Sequence, residues 1–505
     1  MNYLVGENIF SLNSGTEFSQ MQRYKAFKAA GIPTKIVVRN YNRFLGQTLE
    51  ANHIDPHDVI NMYDFFQGTT DVPRKKQNLR LLKSIPLADY HINGIDNNHS
   101  LIQDEGKTIA IVHVMPATVG LVGDIQYLDD LGHEAVGEFW DWRGFKSMVE
   151  HYHPDGSVAT QRYLRQDGST AIEVVHMHIN HQLQPTMWKL CNYHGYDYVF
   201  DTENQLFSFF LNELNAKGRG TFISDRRSVD GSVLSIVNPV QTVAVIHSLT
   251  FNNYKYPKKA GILPAYRTTL NQEKQRFDKV VFPTEDQLKD TAAVVGDSSN
   301  FFQAADCAAA EVGNTRQLGQ GPRIVFRGML GSNRNLADLI NAFRHIYKRF
   351  PQAKLLIQGY FTDQKYKTQL QDQVEKYRLK DKVEFLNYSV DDKVYNDATV
   401  FLSTSDNEAF GITMLESMAH GVPVIAYDTL YSSGNLIKDG VNGCLVKNRT
   451  PNQLAKQVVK VLSDGELYQK LSAGAVVTAK EFSPDHLVQQ WQRVLTPEII
   501  KENSN

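Results

Sequence analysis

The sequence predicts an α/β protein of two doubly wound domains with parallel sheets, the first interrupted by an inserted antiparallel β-meander. Three features carry this expectation. Residues 2–38 read strand, loop, helix, strand. Residues 78–179 break into short alternating stretches separated by turn signals. From Arg323 onward strands and helices alternate cleanly again. The boundaries expected are a first domain of residues 1–70 and 190–315, a meander of 71–189, a second domain of 320–475 and a C-terminal crossing helix within 476–505.

In chain order, an apolar strand leads through Asn13-Ser14-Gly15-Thr16 into a helix over 17–30, which Gly31-Ile32-Pro33 stops before a strand over 34–38. A strand–helix–strand start dictates parallel pairing, because the crossover returns the chain to the same edge. In the insert, Pro154-Asp155-Gly156 and Gln166-Asp167-Gly168 mark hairpin turns, where glycine supplies positive φ without steric cost. A helix over 203–214 and strands over 220–224, 242–247 and 279–283 then resume the first domain. Residues 292–321, rich in Gly, Ser, Asn and Ala, are expected to be the linker and hinge. The second domain reads as strands over 324–326, 354–359, 383–386, 399–403 and 423–426 between helices over 336–350, 366–377, 412–420 and 451–462.

A chain of 505 residues exceeds one ordinary domain, and 42% hydrophobic with 21% charged residues marks a globular, non-fibrous class. With 53 basic and 55 acidic side chains there is no electrostatic footprint for nucleic acid, which is excluded as a partner. No apolar run approaches the roughly 20 residues of a membrane helix, and residues 1–10 lack a basic signal-peptide start. Cys191, Cys307 and Cys444 are odd in number and widely separated, which suits a reducing compartment and a cytoplasmic location.

The run most informative about chemistry is Ser405-Asp406-Asn407-Glu408-Ala409-Phe410-Gly411-Ile412-Thr413-Met414-Leu415-Glu416, followed by Gly421-Val422-Pro423-Val424-Ile425-Ala426. It follows a strand, where open α/β sheets bind ligands. Glu408 falls in the loop. Gly411 allows close backbone approach, and the helix from Ile412 offers free N–H groups and a positive dipole end to a diphosphate. Glu416, one turn in, can accept hydrogen bonds from ribose hydroxyls. The alternative is a plain packing motif with glutamates at a solvated helix end.

This run resembles the signature of the retaining GT-B glycosyltransferases of family four: Glu, seven residues, Glu, then a Gly-x-Pro-x-Ile/Val strand. The resemblance covers nearly the whole chain and extends to a bacterial subgroup of wall teichoic acid poly(glycerol-phosphate) α-glucosyltransferases and accessory-secretion O-GlcNAc transferases of serine-rich adhesins. It implies two Rossmann-like domains facing a cleft, transfer of glucose or N-acetylglucosamine from a UDP-sugar, and a surface-protein or teichoic acid acceptor. The reaction it implies is front-face and retaining, with UDP itself helping to deprotonate the acceptor. It further implies Glu408, His247 and Arg334 as catalytic residues. Gly15, Thr16, Arg327, Gly359, Leu386, Asn387, Phe410, Gly411, Ile412, Thr413 and Glu416 are its donor-binding residues, and Asp439-Gly440-Val441-Asn442-Gly443 matches a family turn. The alternative for His247 read on its own is a satisfied core imidazole. A homo-oligomer or a paired sister enzyme, and a peripheral position at the inner face of the membrane, are the implied settings.

The sequence departs from the family at one position. Where the pattern places Arg and, five residues later, Lys after the first strand of the second domain, this chain has Met329 and Arg334, with Arg327 two residues upstream. Arg334 replaces the lysine as a fixed charge, and either Arg327 compensates by a local shift or catalysis is reduced. Met329 is also what favours the rival reading, a non-catalytic subunit that binds acceptor for a sister enzyme. No Asp-x-Asp pair occurs, so no metal or other cofactor is expected. His151, His153, His176, His178 and His181 are expected to be an ordinary sheet surface, since no Cys or carboxylate completes a ligand set.

Overall fold

The computed structural model describes residues 1–75, 82, 85, 88–251, 261–270, 276–309 and 311–496. Among these, the strands form three sheets. The first is parallel and seven-stranded, in the spatial order Phe301–Gln303, Lys279–Phe282, Gln241–Val245, Thr221–Ser224, Asn2–Gly6, Thr34–Val38, Val59–Asn61. The second is parallel and six-stranded, in the order Val383–Leu386, Lys354–Phe361, Arg323–Leu330, Val400–Ser403, Val424–Tyr427, Gly443–Val446. Each order reverses beside its first strand in sequence, which opens a crevice at the carboxyl ends of the strands.

The insert is an antiparallel sheet of ten strands taken strictly in sequence, from His91–Gly94 to Tyr196–Phe200. Its hairpins turn where Asp-Gly requires them, with Gly156 and Gly168 at φ of 80° and 85°. One face of its later strands, with Met148, Tyr163, Ile172, Val174, Trp188 and Leu190, is buried against Met62, Tyr63, Phe66 and Phe210 of the first domain. That face dictates the alternation in sequence.

Three expected boundaries move. The strand Gln182–Tyr193 runs through position 189, and Tyr196–Phe200 pairs with it, so the meander extends to residue 200. Residues 292–321 are not all linker: the helix Glu285–Val295 ends inside that stretch, and Phe301–Gln303 forms the edge strand of the first sheet. The helix Gly465–Glu481 crosses position 475, and the crossing helix is Pro484–Leu495. The strand Arg323–Leu330 is also longer than expected, so Arg327 and Met329 lie on it rather than after it.

One apolar core spans both halves, joining Leu4, Met21 and Phe27 of the first to Val325, Met414 and Met418 of the second through Leu487, Val488 and Trp491. Trp491 meets Phe27 edge-on at 5.7 Å between centroids and carries the Arg23 guanidinium 4.5 Å above its ring. The carbonyls of Val494 and Thr496, at the end of the crossing helix, accept from Lys279 Nζ, each at 2.7 Å. A cation there satisfies orphan carbonyls and opposes the negative end of the helix dipole.

Candidate functional site

The two parallel sheets enclose a cavity of about 420 Å³, lined from both domains. Gly15, Thr16, His247, Arg327, Arg334, Gly359, Glu408, Ile412, Thr413 and Glu416 all line it. These residues are scattered through 400 positions of sequence. They meet because each sits at the carboxyl end of a strand or in the loop or helix start that follows.

The helix Ile412–Ala419 points its N-terminus at the cavity. Its N-cap is Gly411, at φ 96° and ψ 50°, and no side chain caps the first turn. Uncapped N–H groups at a positive dipole end form a site for an anion. Gly411 itself does not line the cavity; an added Cβ would lie 2.4 Å from Met414 Cε. The backbone turn requires this glycine, not close approach of a ligand as the sequence suggested. Phe410 is likewise absent from the lining, being buried edge-on to Phe482. Leu386 packs on the core and Asn387 faces outward, and neither reaches the cavity. Tyr388 and Ser389, just beyond Asn387, line the cavity instead.

Alternation along two neighbouring strands aims four side chains at the ligand space. Arg327 pairs with Gln358 and Met329 with Tyr360, and all four line the cavity. Gly359, between them, could not bear a side chain, because a Cβ would sit 1.8 Å from Gly328 O.

Arg327 Nη1 donates to Glu416 Oε2 at 2.8 Å, and its Nη2 donates to the carbonyls of Ser389 and Asp391, each at 3.0 Å. Tyr395 Oη donates to the same Glu416 oxygen at 3.2 Å. Among the described residues nothing bonds Oε1, so Glu416 offers one held and one free oxygen. Burial pushes its carboxyl up, and the Arg327 charge offsets part of that rise. Arg327 therefore serves Glu416 and has not shifted to compensate for Met329.

Arg334 Nη1 pairs with Glu408 Oε2 and reaches Ser405 Oγ at 3.2 Å, while its buried Nε has no partner among the described residues. A buried guanidinium N–H left unpaired is costly, and a ligand oxygen would satisfy it. Asn335, at φ 49°, turns the loop after Leu330 and anchors it through Asp406 Oδ1 at 2.7 Å, which brings Arg334 to Glu408.

His247 is held at both ring nitrogens, Nδ1 by Asp306 at 2.8 Å and Nε2 by Asp225 at 2.9 Å. Burial alone would lower its pKa, but the carboxylates of Asp306 and Asp225 outweigh burial and raise it. Asp225 in turn falls to about 2 despite burial, because Arg23 and His247 face it. An imidazolium between two carboxylates has no lone pair for proton abstraction. Held at both nitrogens, His247 forms a rigid part of the cavity wall.

Asn442 of the expected turn is a structural residue, donating from Nδ2 to Leu436 O at 2.8 Å and Thr478 Oγ1 at 2.7 Å. No group of three or more His, Cys, Asp or Glu among the described residues is placed to hold a metal ion. His153 and His178 do approach, with ring centroids 6.3 Å apart.

Asn13 and Ser14 of the loop read from the sequence line the cavity, and sequence reasoning missed Arg226, Tyr360 and Tyr388, which line it as well. Ser14 was legible, because Ser14-Gly15-Thr16-Glu17 is a capping box, realised here with Ser14 Oγ 3.3 Å from Thr16 N and Glu17 Oε2 3.0 Å from Ser14 N. Arg226 had no local signal.

Residues 314–476 match the family model described as glycosyl transferases group 1. The chain is 25% identical over 394 residues to the poly(glycerol-phosphate) alpha-glucosyltransferase of Bacillus subtilis, covering 74% of this chain and 56% of that relative. The chain thus spans just over half the length of that protein. It is 20% identical over 514 residues to the UDP-N-acetylglucosamine--peptide N-acetylglucosaminyltransferase GtfA subunit of Streptococcus agalactiae, covering 97% of both. Among solved structures, the pneumococcal O-GlcNAc transferase GtfA in complex with UDP and GlcNAc superposes with a TM-score of 0.80 at 16% identity, covering 97% of each chain. The fold is that of GT-B enzymes.

Proposed function

From a GT-B fold whose second domain matches the group 1 glycosyl transferases, we propose that the protein is a retaining hexosyltransferase. It moves glucose or N-acetylglucosamine from a UDP-sugar to a cell-surface acceptor, either serine or threonine of a surface protein or the hydroxyls of poly(glycerol phosphate). The observation that carries this reading is that Glu416 and Glu408, each paired with a different arginine, line one cavity together with Ile412 and Thr413 at the uncapped start of helix Ile412–Ala419. Glu416 Oε1 takes a ribose hydroxyl, the helix N–H groups and Arg334 take the diphosphate, and Glu408 lies on the sugar side. The names of the similar proteins supply both acceptor classes.

In the reaction the sugar–phosphate bond breaks and UDP keeps its electron pair. The acceptor oxygen bonds to the anomeric carbon on the face UDP leaves, and its proton passes to the departing phosphate. Arg334 and the helix dipole stabilise the charge that develops, an effect commonly worth a few kcal/mol per donor. No protein base is required, which agrees with a His247 held by two carboxylates. No resident metal takes part. The protein works in the cytoplasm, and no described helix is long and apolar enough to cross a membrane.

The test is UDP release by purified protein, with UDP-glucose and UDP-N-acetylglucosamine each offered against a Ser/Thr-rich peptide and against poly(glycerol phosphate). Turnover with one pair is expected. A second reading, an acceptor-binding subunit paired with a sister enzyme, is favoured by Met329 in the cavity wall. UDP binding with no release in any pair would replace the first reading by the second.

A further inference from the structure

The diphosphate end of the cavity lacks one cation. Position 329 holds methionine, and Arg327 is occupied by Glu416 and the loop carbonyls. Met329 lies beside Tyr360 on the neighbouring strand, and both line the cavity. Arg226 of the first domain and Arg334 of the second line the same cavity, whose wall is uncharged at Met329.

A second line of contacts places Arg226 at the same point. Its Nη2 donates to Ser14 Oγ at 2.8 Å. The next residue, Gly15, is where the first domain meets the helix Ile412–Ala419: a Cβ on Gly15 would lie 3.7 Å from Ile412 Cδ1. Arg226 is thus bonded to the residue adjoining the contact between the first domain and the anion-binding helix terminus.

Resting on the UDP-sugar reading above, we propose that Arg226, carried by the first domain, is the second diphosphate-binding cation and replaces the charge missing at position 329. The donor is then clamped across the cleft, between Arg226 on one side and Arg334 on the other.

The side chain is disposed for this. Arg226 is held through Nε and Nη2 by Glu17, which is 3% exposed, while Arg226 itself is 30% exposed against 10% for Arg327. Among the described residues nothing bonds its Nη1. A phosphate oxygen can add to that free edge of the guanidinium without displacing Glu17, because the planar fork presents five donors. When both cations lie on one domain, UDP can bind to that domain alone; with one on each domain, tight binding requires the domains to be apposed.

The experiment measures UDP and uridine affinity by calorimetry for wild type, Arg226→Gln, Arg226→Lys, Met329→Arg and the Arg226→Gln/Met329→Arg double variant. A charge-assisted contact is worth about tenfold or more in affinity, so Arg226→Gln should weaken UDP by about that factor and leave uridine unchanged. Adding Met329→Arg should restore most of the loss, and Arg226→Lys should retain an intermediate affinity. Because Glu17 is buried, Arg226→Gln can misfold; the Glu17→Gln/Arg226→Gln pair removes the stranded carboxylate and should show the same selective loss. Unchanged UDP affinity in Arg226→Gln, or a loss that Met329→Arg does not rescue, overturns the proposal, since a merely structural arginine could not be replaced from the opposite wall. Wild-type protein that binds no UDP overturns the UDP-sugar reading along with it.

Discussion

Replacing Glu416 by Gln tests which end of the cavity holds the nucleoside. Arg327 and Tyr395 both engage Oε2, so Oε1 alone is left for a ligand hydroxyl. The amide of Gln keeps the shape and one carbonyl oxygen but loses the charge. A hydrogen bond to a charged group is worth about 1.5–3 kcal/mol and a neutral one about 0.5–1.5. The difference, about 1–1.5 kcal/mol, is roughly tenfold in Kd. The substitution should spare the fold, because burial already holds the Glu416 carboxyl above its usual range and Arg327 keeps its carbonyl acceptors. Calorimetry with uridine and with UDP should show the same tenfold loss for both, since the ribose is common to them. Arg334→Gln should do the opposite, weakening UDP and leaving uridine alone. If Glu416→Gln weakened UDP while uridine bound as before, the ends of the cavity would have to be exchanged and the role given to Glu416 withdrawn.

Three further outcomes are expected. Glu408→Gln should lower kcat by about 100-fold or more while moving Tm little, because the Arg334–Glu408 pair is partly solvated and such pairs contribute at most about 1 kcal/mol to stability; unchanged turnover would remove Glu408 from the reaction. The His247 cluster gives stability a defined pH window. The raised pKa of His247 means its contribution is complete below the unfolded value of 6.5 and is lost as pH rises through the folded value, while Asp225 contributes fully above its unfolded 3.8 and loses that as pH falls through about 2. Thermal melts should therefore fall on the alkaline side of pH 6.5 for wild type and be flatter there for His247→Gln; parallel curves would show that the histidine is neutral. Lys279→Met should loosen the crossing helix by about 2 kcal/mol, since Val494 and Thr496 lose a charged donor, and limited proteolysis should then cut first after residue 482; an unchanged cleavage pattern would show that the apolar contact of Trp491 suffices.

The alternation of elements in the second domain was legible because its central strands are buried on both faces and its long helices on one, so hydrophobic period alone separates them. Two other elements were not read where the residues are small or polar. The strand Phe301–Gln303 lies among Gly, Ser and Asn and is defined by its pairing with Lys279–Phe282, not by its own composition. The helix Gly465–Glu481 carries Ala473-Gly474-Ala475, which looks like a breaker. Those residues are small because a neighbouring backbone lies against them: a Cβ on Gly474 would fall 2.1 Å from Val441 O, and Ala475 and Ala479 are fully buried. Packing against another segment selects them, and a single-sequence reading cannot see that segment.

The carboxylates of the site were legible and its cations only partly so, for a physical reason. Glu408 and Glu416 belong to one continuous strand–loop–helix unit whose geometry is local, so spacing along the chain becomes spacing in the cavity. A guanidinium on its long stem is placed by whatever carboxylate holds it. Arg334 is held by Glu408, Arg327 by Glu416 and Arg226 by Glu17, across sequence separations of 74, 89 and 209 residues. Each arginine is thereby fixed before any ligand arrives, which lowers the entropy cost of gathering three long side chains around one cavity. The same pairing explains why the sequence misassigned Arg327. Proximity to position 329 suggested that it would replace the missing cation, but its partner Glu416 decides where it points. By the same logic the compensating charge is to be sought where a paired arginine still has a free edge in the cavity, and Arg226, from the opposite domain, meets that condition.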